Sequence, residues 1–86
     1  MTEIQDKIAK IRWDCRRGML ELDYIFEEFI KNGLNSLEES ELDDLQKFLT
    51  NQDPDLFAWF LGYDSPKDEF DQHWVKIVMA AQQKTN

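Results

Sequence analysis

Apolar side chains recur at the three- and four-residue spacing of an α-helix along most of the chain, and this period constrains the fold more than any other feature. Five such series can be read. They are Ile4, Ile8 and Ile11; Met19, Leu22, Phe26, Phe29 and Ile30; Leu37, Leu42, Leu45, Phe48 and Leu49; Leu56, Phe57, Phe60 and Leu61; and Phe70, Trp74, Ile77 and Ala81. Side chains at this spacing share one face of a helix. The sequence therefore predicts five amphipathic helices, and it contains no credible strand.

Turn and capping residues separate these series. The pairs Asp53-Pro54 and Ser65-Pro66 both have the pattern of a helix start, and Asp68 stands in the capping-box position of the second. Asn32-Gly33 and Gly62 are typical of helix ends. The connections between helices are therefore short, as in a bundle with antiparallel neighbours.

The start of the third helix has two possible positions. Ser36 with Glu39 satisfies a capping box, whereas a cap at Glu38 would let Leu37 pack against Leu42 as a hydrophobic staple. The sequence alone does not choose between them.

The length of 86 residues leaves room for one domain with one modest core. The apolar share of 42% and the aromatic share of 13% are sufficient for such a core, which argues against disorder. The expected fold is all-α, a small five-helix bundle over residues 1–86 with a polar tail from Gln82. A monomer is expected.

The charge is unevenly distributed along the chain. Residues 1–17 contain five basic and three acidic side chains, whereas residues 18–86 contain five basic and fifteen acidic ones. Such an acidic surface disfavours nucleic acid and anionic membranes. No apolar run resembles a signal peptide or a membrane span, and Cys15 is the only cysteine, which fits a reducing compartment. We expect a cytoplasmic protein without membrane insertion.

The stretch Trp13–Asp23 lies at the predicted junction of the first two helices and places polar and flexible residues where the second helix begins. Arg17, Gly18 and Glu21 form an R-G-x-x-E pattern, and a glycine inside a helix weakens it by roughly 1 kcal/mol relative to alanine. On a helical wheel Met19, Leu22 and the later apolar residues share the core side. The wheel places Arg17, Glu21, Tyr24 and Glu28 on the outward side and Gly18 at the border.

Two interpretations of this outward stripe compete. Arg17 and Glu21 could be a surface ion pair, although the acid follows the base, which is the weaker orientation. Alternatively they form a partner-binding patch in which the Arg17 guanidinium contacts a partner carboxylate or carbonyl and Gly18 allows close approach. Trp13, Arg16 and Tyr24 flank the motif. For Trp13 the sequence leaves both a core position and a role as interface anchor open.

Cys15 and His73 are the candidates for chemistry. Arg16 and Arg17 could activate the thiol, yet most single cysteines are small apolar residues. His73 has no second histidine or cysteine to complete a metal site. No nucleophile lies in a recognisable motif with a base, and no glycine-rich loop follows a strand. The sequence thus predicts a binding protein with no catalytic residues, no metal and no stably bound cofactor.

Three blocks of the chain resemble a known family. They are Ile11-Arg12-Trp13, Cys15-Arg16-Arg17-Gly18-Met19 with Glu21-Leu22-Asp23, and Asp53-Pro54-Asp55-Leu56-Phe57 with Trp59. Together they resemble the FAD assembly factor SdhE family, which is succinate dehydrogenase assembly factor 2 in mitochondria. The resemblance covers nearly the whole chain, and Leu20 departs from it, because many bacterial members have a basic residue there.

The resemblance implies a five-helix protein that promotes covalent attachment of FAD to a histidine in the flavoprotein subunit of succinate dehydrogenase and, in some bacteria, of fumarate reductase. It also implies that Arg17, Gly18 and Glu21 contact that subunit. FAD would be the cofactor attached within the partner. The alternatives are an antitoxin-like regulator that binds a different cytoplasmic protein and a small enzyme that uses Cys15 or His73.

Overall fold

Five α-helices make up most of residues 3–84, the part of the chain that the computed structural model describes. They are α1 (Glu3–Asp14), α2 (Leu20–Gly33), α3 (Glu39–Phe48), α4 (Asp53–Leu61) and α5 (Glu69–Ala80). Short 3-10 segments follow α2 at Leu34–Ser36 and α5 at Ala81–Lys84. No strand occurs among the described residues. The predicted all-α, five-helix fold is confirmed.

All five helices contribute to a single core. The buried side chains include Ile11, Leu22, Phe26, Phe29, Leu42, Leu45, Phe48, Leu56, Phe60, Trp74 and Val78. Aromatic rings connect the helices: the ring centroids of Phe26 and Phe60 lie 5.5 Å apart, and those of Phe48 and Trp74 lie 6.5 Å apart. Most members of the apolar series that predicted the helices therefore also supply the core. Ile4 and Leu61 are exceptions, because both side chains are exposed.

The boundary of α3 is settled by a capping interaction at Glu38. Its backbone N–H donates to the Glu41 carboxylate at 2.8 Å, and Glu38 is the N-cap. Leu37 packs against the core on the preceding position. Of the two predicted starts, the one with its cap at Glu38 is the one that forms.

The predicted start of α4 is confirmed, whereas that of α5 is not. Asp53 is the first residue of α4 and Pro54 lies in its first turn, but Gln52 is the N-cap, so the Asp53 carboxylate is not the cap. The predicted start of α5 at Ser65-Pro66 is wrong, because Asp68 caps the helix by accepting from the Phe70 N–H at 3.0 Å. Gly62 ends α4 with a φ of +82°, as predicted.

The predicted polar tail is wrong for Gln82, which is docked on α2. Its side-chain amide donates to the carbonyl of Ile25 at 2.8 Å. Next to it, the Asn32 amide donates to the carbonyl of Ala81 at 3.0 Å. These bonds hold the final 3-10 segment against the bundle, and the tail residues Thr85 and Asn86 lie outside the described part of the chain.

Candidate protein-binding face

The R-G-x-x-E pattern begins in the loop between α1 and α2, at the helix junction where the sequence predicts it. After Asp14 the Cys15 N–H still donates to the Ile11 carbonyl at 2.9 Å, and the chain then leaves the helix. The Arg17 N–H donates to the carboxylate of Asp23 in the first turn of α2 at 2.9 Å. The predicted wheel, which placed Arg17 and Gly18 on one helix with Glu21, is therefore wrong.

Gly18 turns the loop by adopting a left-handed conformation with φ of +81°. Residues with a Cβ rarely adopt this conformation, whereas glycine adopts it freely, so glycine is favoured here. The prediction that Gly18 weakens a helix is therefore wrong, because Gly18 lies in the loop before α2. A Cβ built at Gly18 would meet no atom within 4 Å. The backbone conformation, and not steric crowding, is therefore the reason that glycine is favoured at position 18. The space that a side chain at this position would occupy is open.

The Arg17 guanidinium points into the protein. Its Nε donates to the Asp53 carboxylate at 2.7 Å, and Nη1 donates to the carbonyls of Asp14 at 3.0 Å and Leu49 at 2.9 Å. Nη2 donates to the Asn51 carbonyl at 2.8 Å, and only 14% of the side chain is exposed. The planar fork that was predicted to face a partner is thus filled by groups of the chain itself.

Glu21 remains on the surface, on the first turn of α2. Among the described residues the ion pair of Arg17 is with Asp53, 36 positions along the chain, so the alternative of an Arg17–Glu21 surface pair is excluded. The motif therefore separates into a partly buried anchor at Arg17 and an exposed carboxylate at Glu21.

Large apolar side chains are exposed on both sides of this loop. Trp13 on the last turn of α1 is 71% exposed, and Leu20 and Tyr24 on α2 are 69% and 64% exposed. Trp13 is thus not a core residue, which resolves the alternative that the sequence left open. Arg16 is also exposed. Exposed aromatic side chains beside arginine are typical of protein interfaces.

Leu20 is not among the site residues predicted from the sequence, where it stands only as a departure from a family pattern. The wheel gave a usable signal, since Leu20 lies far from the face formed by Leu22, Phe26 and Phe29. An apolar residue off the core stripe at the start of a helix is a candidate for contact with another molecule.

Neither candidate for chemistry has the surroundings of a reactive group. Cys15 is buried, and burial raises the pKa of its thiol to about 12 although the nearby Arg17 charge acts in the opposite direction. The neutral thiol is a poor nucleophile and a poor metal ligand. His73 is exposed on α5 with its ring against Trp74. Within residues 3–84 no group of His, Cys, Asp or Glu side chains is arranged to hold a metal.

An open groove of about 730 Å³ lies beside the loop. Arg12 and Arg16 line it from the α1 side, and Asp23, Glu27 and Glu28 line it from α2. Lys31 also lines the groove, so a dinucleotide pyrophosphate placed here would meet three carboxylates, two guanidinium groups and one ammonium group. These charges cancel, so the lining has no excess of positive charge to attract a pyrophosphate.

Ion pairs occupy much of the basic N-terminal stretch. Lys7 contacts the carboxylates of Glu39 at 3.0 Å and Asp43 at 2.9 Å, which tie α1 to α3, and Lys10 lies 3.6 Å from Asp14. With Arg17 also paired to Asp53, these contacts engage three of the five basic side chains of the stretch and reduce the positive charge available to phosphates. In the part of the chain that the structure describes, none of the helices has the length and apolar character needed to cross a membrane.

Comparisons with known proteins agree on one family. A family model described as the flavinator of succinate dehydrogenase matches residues 9–82. The FAD assembly factor SdhE of Idiomarina loihiensis is 46% identical over 77 residues, which cover 90% of this chain and 84% of that protein. SdhE of Legionella pneumophila is 43% identical over 61 residues, covering 71% and 77% of the two chains. SdhE of Vibrio cholerae is 53% identical over 55 residues, covering 64% of each.

Proposed function

The chain belongs to the flavinator family of succinate dehydrogenase, and we propose that it is an assembly factor that binds the flavoprotein subunit of that enzyme and promotes covalent attachment of FAD to a histidine there. We extend the proposal to the flavoprotein subunit of fumarate reductase as a second client. The whole chain, residues 1–86, would act as a cytoplasmic monomer. The observation that carries the proposal is the exposure of large apolar side chains around the R-G-x-x-E loop.

The proposed docking face consists of residues from α1, the loop and the start of α2. At the surface they are Trp13, Arg16, Gly18, Glu21 and Tyr24, and Arg17 supports the loop from behind through its internal contacts. Trp13 and Tyr24 offer apolar area that a partner would remove from water, and such rings often dominate binding energy. Arg16 and Glu21 offer charges of opposite sign to a polar rim. Gly18 leaves the partner backbone free to approach the loop.

The chemistry of attachment belongs to the flavin and the flavoprotein. The flavin C8 methyl group must lose a proton before the histidine attacks, and the flavin supports this chemistry when it is correctly held. The buried, neutral Cys15 thiol is unsuited to take that proton, and His73 lies on α5 outside the docking face. We propose that this chain binds a minor conformation of the subunit in which histidine and flavin have attack geometry.

A binding measurement tests the docking face directly. Trp13→Ala should weaken affinity for the flavin-free flavoprotein subunit by at least about tenfold. An aromatic side chain that becomes buried at the centre of an interface contributes more than about 1.4 kcal/mol to binding. Tyr63→Ala is the matched control, since Tyr63 is a 75% exposed aromatic residue beyond the end of α4. Calorimetric titration of purified proteins gives both affinities.

Two outcomes would oppose the proposal. If the Trp13 and Tyr63 variants bind the subunit with equal affinity, the proposed docking face is wrong. Failure of the wild-type chain to bind the subunit, together with co-purification of a protein without flavin, would favour the antitoxin-like role.

A further inference from the structure

The two sequence blocks that carried the family resemblance meet in space at one contact. Arg17 belongs to the loop of the first block, and Asp53 begins the second block, Asp53–Phe57. Their side chains are joined at 2.7 Å from Nε to Oδ1. Relying on the proposed function, we propose that Asp53 is a positioning residue that acts through Arg17 to hold the docking face in its binding-competent shape.

The Arg17 guanidinium joins the loop to the end of α3 as well as to Asp53. The last carbonyls of a helix have no partner within that helix, and positive charge is favourable there. Leu49, the C-cap of α3, and Asn51 both place carbonyls on this guanidinium. Arg17 therefore binds the helix end as a cap, and Asp53 supplies the opposing charge.

The α3–α4 connection, which accepts the hydrogen bonds of Arg17, is itself held in place. The side-chain amide of Asn51 donates to the carbonyl of Phe48 at 2.8 Å and to the carboxylate of Asp71 on α5 at 3.2 Å. The α3–α4 connection is thus fixed to two helices before it receives Arg17. The loop between α1 and α2 is bonded to this connection through Arg17, so its position is fixed as well.

The loop is held from its other side by Asp23, which accepts from the backbone N–H of Arg17. Gly18 follows directly, between these two attachments and the exposed Glu21. A face that is ordered before binding loses less conformational freedom when the partner docks, so its affinity is higher. Asp53 would contribute to affinity in this way without touching the partner.

A double-mutant cycle separates positioning from contact. The variants are Asp53→Ala, Arg17→Ala and the double substitution, with Asp55→Ala as the control, because Asp55 is an exposed acid in the same helical turn. We expect Asp53→Ala to weaken binding of the flavoprotein subunit about tenfold by disordering the loop, and Asp55→Ala to leave it unchanged. The double variant should bind like Arg17→Ala alone.

Two further readouts distinguish this role from a general loss of stability. Amide hydrogen exchange of residues 15–19 should become faster in Asp53→Ala while exchange in the core of α2 stays as in the wild type. The rate of covalent flavin formation should recover when the variant is present at saturating concentration. Asp53→Asn, which keeps an acceptor oxygen for Arg17, should restore most of the affinity.

The proposal is overturned if Asp53→Ala binds like Asp55→Ala, if the losses from the two single variants multiply, or if the maximal rate stays low at saturation. Unchanged exchange of residues 15–19 would also overturn it. The exchange measurement needs no partner, so it tests the Asp53–Arg17 contact even if the wild-type chain fails to bind the flavoprotein. Such a failure to bind would refute the proposed function instead.

Discussion

Gly18 is the single residue whose backbone most directly shapes the candidate face. Because its φ of +81° is left-handed, Gly18→Ala should lower the free energy of unfolding by about 1–2 kcal/mol. Gly18→Glu should lower it by a similar amount, since a Cβ there meets no atom within 4 Å. The Glu variant alone adds a long charged side chain to the docking face.

Urea denaturation and calorimetric titration together check this prediction. The two variants should have similar unfolding midpoints, whereas Gly18→Glu should bind the flavoprotein subunit more weakly than Gly18→Ala. If Gly18→Glu unfolds far more easily than Gly18→Ala, the space above Gly18 is not open. Equal binding by both variants would show that the partner does not approach the glycine.

Cys15 makes stability depend on pH in the alkaline range. Burial raises its pKa from 9.0 to about 12, so the folded thiol keeps its proton while the unfolded thiol loses it above pH 9. This contribution to stability is fully present below pH 9 and is lost as the pH rises towards 12. The loss approaches about 1.4 kcal/mol per pH unit.

The comparison that isolates Cys15 is between the wild type and Cys15→Ala. The variant is less stable at neutral pH because it leaves a small cavity, but the difference should shrink by about 1.4 kcal/mol between pH 8 and pH 10. Lys7, whose pKa is raised by Asp43 and Glu39, titrates in both proteins and cancels. Urea unfolding at the two pH values measures the difference, and a constant difference would refute the burial argument.

At the scale of elements, the start of α5 offers a test of which residue caps the helix. Asp68→Ala should reduce the free energy of unfolding by about 1 kcal/mol, because its carboxylate accepts from the Phe70 N–H. Ser65→Ala should have almost no effect, since Ser65 is exposed and lies outside the helix. Thermal denaturation of the two variants separates them, and a larger loss from Ser65→Ala would move the helix start to Ser65-Pro66.

The apolar period predicted the elements well because local spacing decides which face of a helix is buried. Leu22, Phe26 and Phe29 lie in the core as their spacing required. Helix starts were less predictable at Ser65-Pro66, because two acceptable caps stood three residues apart and only the side-chain geometry of Asp68 chose between them.

The candidate face was predictable in its position but not in the direction of its side chains. Trp13, Arg16, Glu21 and Tyr24 are exposed, which makes them available for contact. Arg17 was misplaced because the wheel assumed one helix through Gly18, whose backbone breaks it. Three of its four partners, Leu49, Asn51 and Asp53, lie 32 to 36 positions away, and helical spacing carries no information about such contacts.

At the scale of the whole molecule, the five-helix bundle holds the proposed docking face in position. The core is shared by all five helices, and the α3–α4 connection carries the loop between α1 and α2 through Arg17. Several basic side chains of the acidic chain are used in internal ion pairs, including Lys7 with Glu39 and Asp43. This arrangement suits a rigid protein that binds another protein better than one that encloses a substrate.

The most direct test of the proposed function is the covalent flavin content of the succinate dehydrogenase flavoprotein subunit in cells from which the gene for this chain is deleted. The gene is restored as wild type, Trp13→Ala, Glu21→Ala or the Tyr63→Ala control, and protein-bound flavin fluorescence is measured on the denatured subunit. We predict that deletion abolishes the fluorescence, that the wild type and Tyr63→Ala restore it, and that Trp13→Ala and Glu21→Ala restore much less at equal protein levels. Undiminished covalent flavin in the deletion strain, or full restoration by both docking-face variants, would contradict this account.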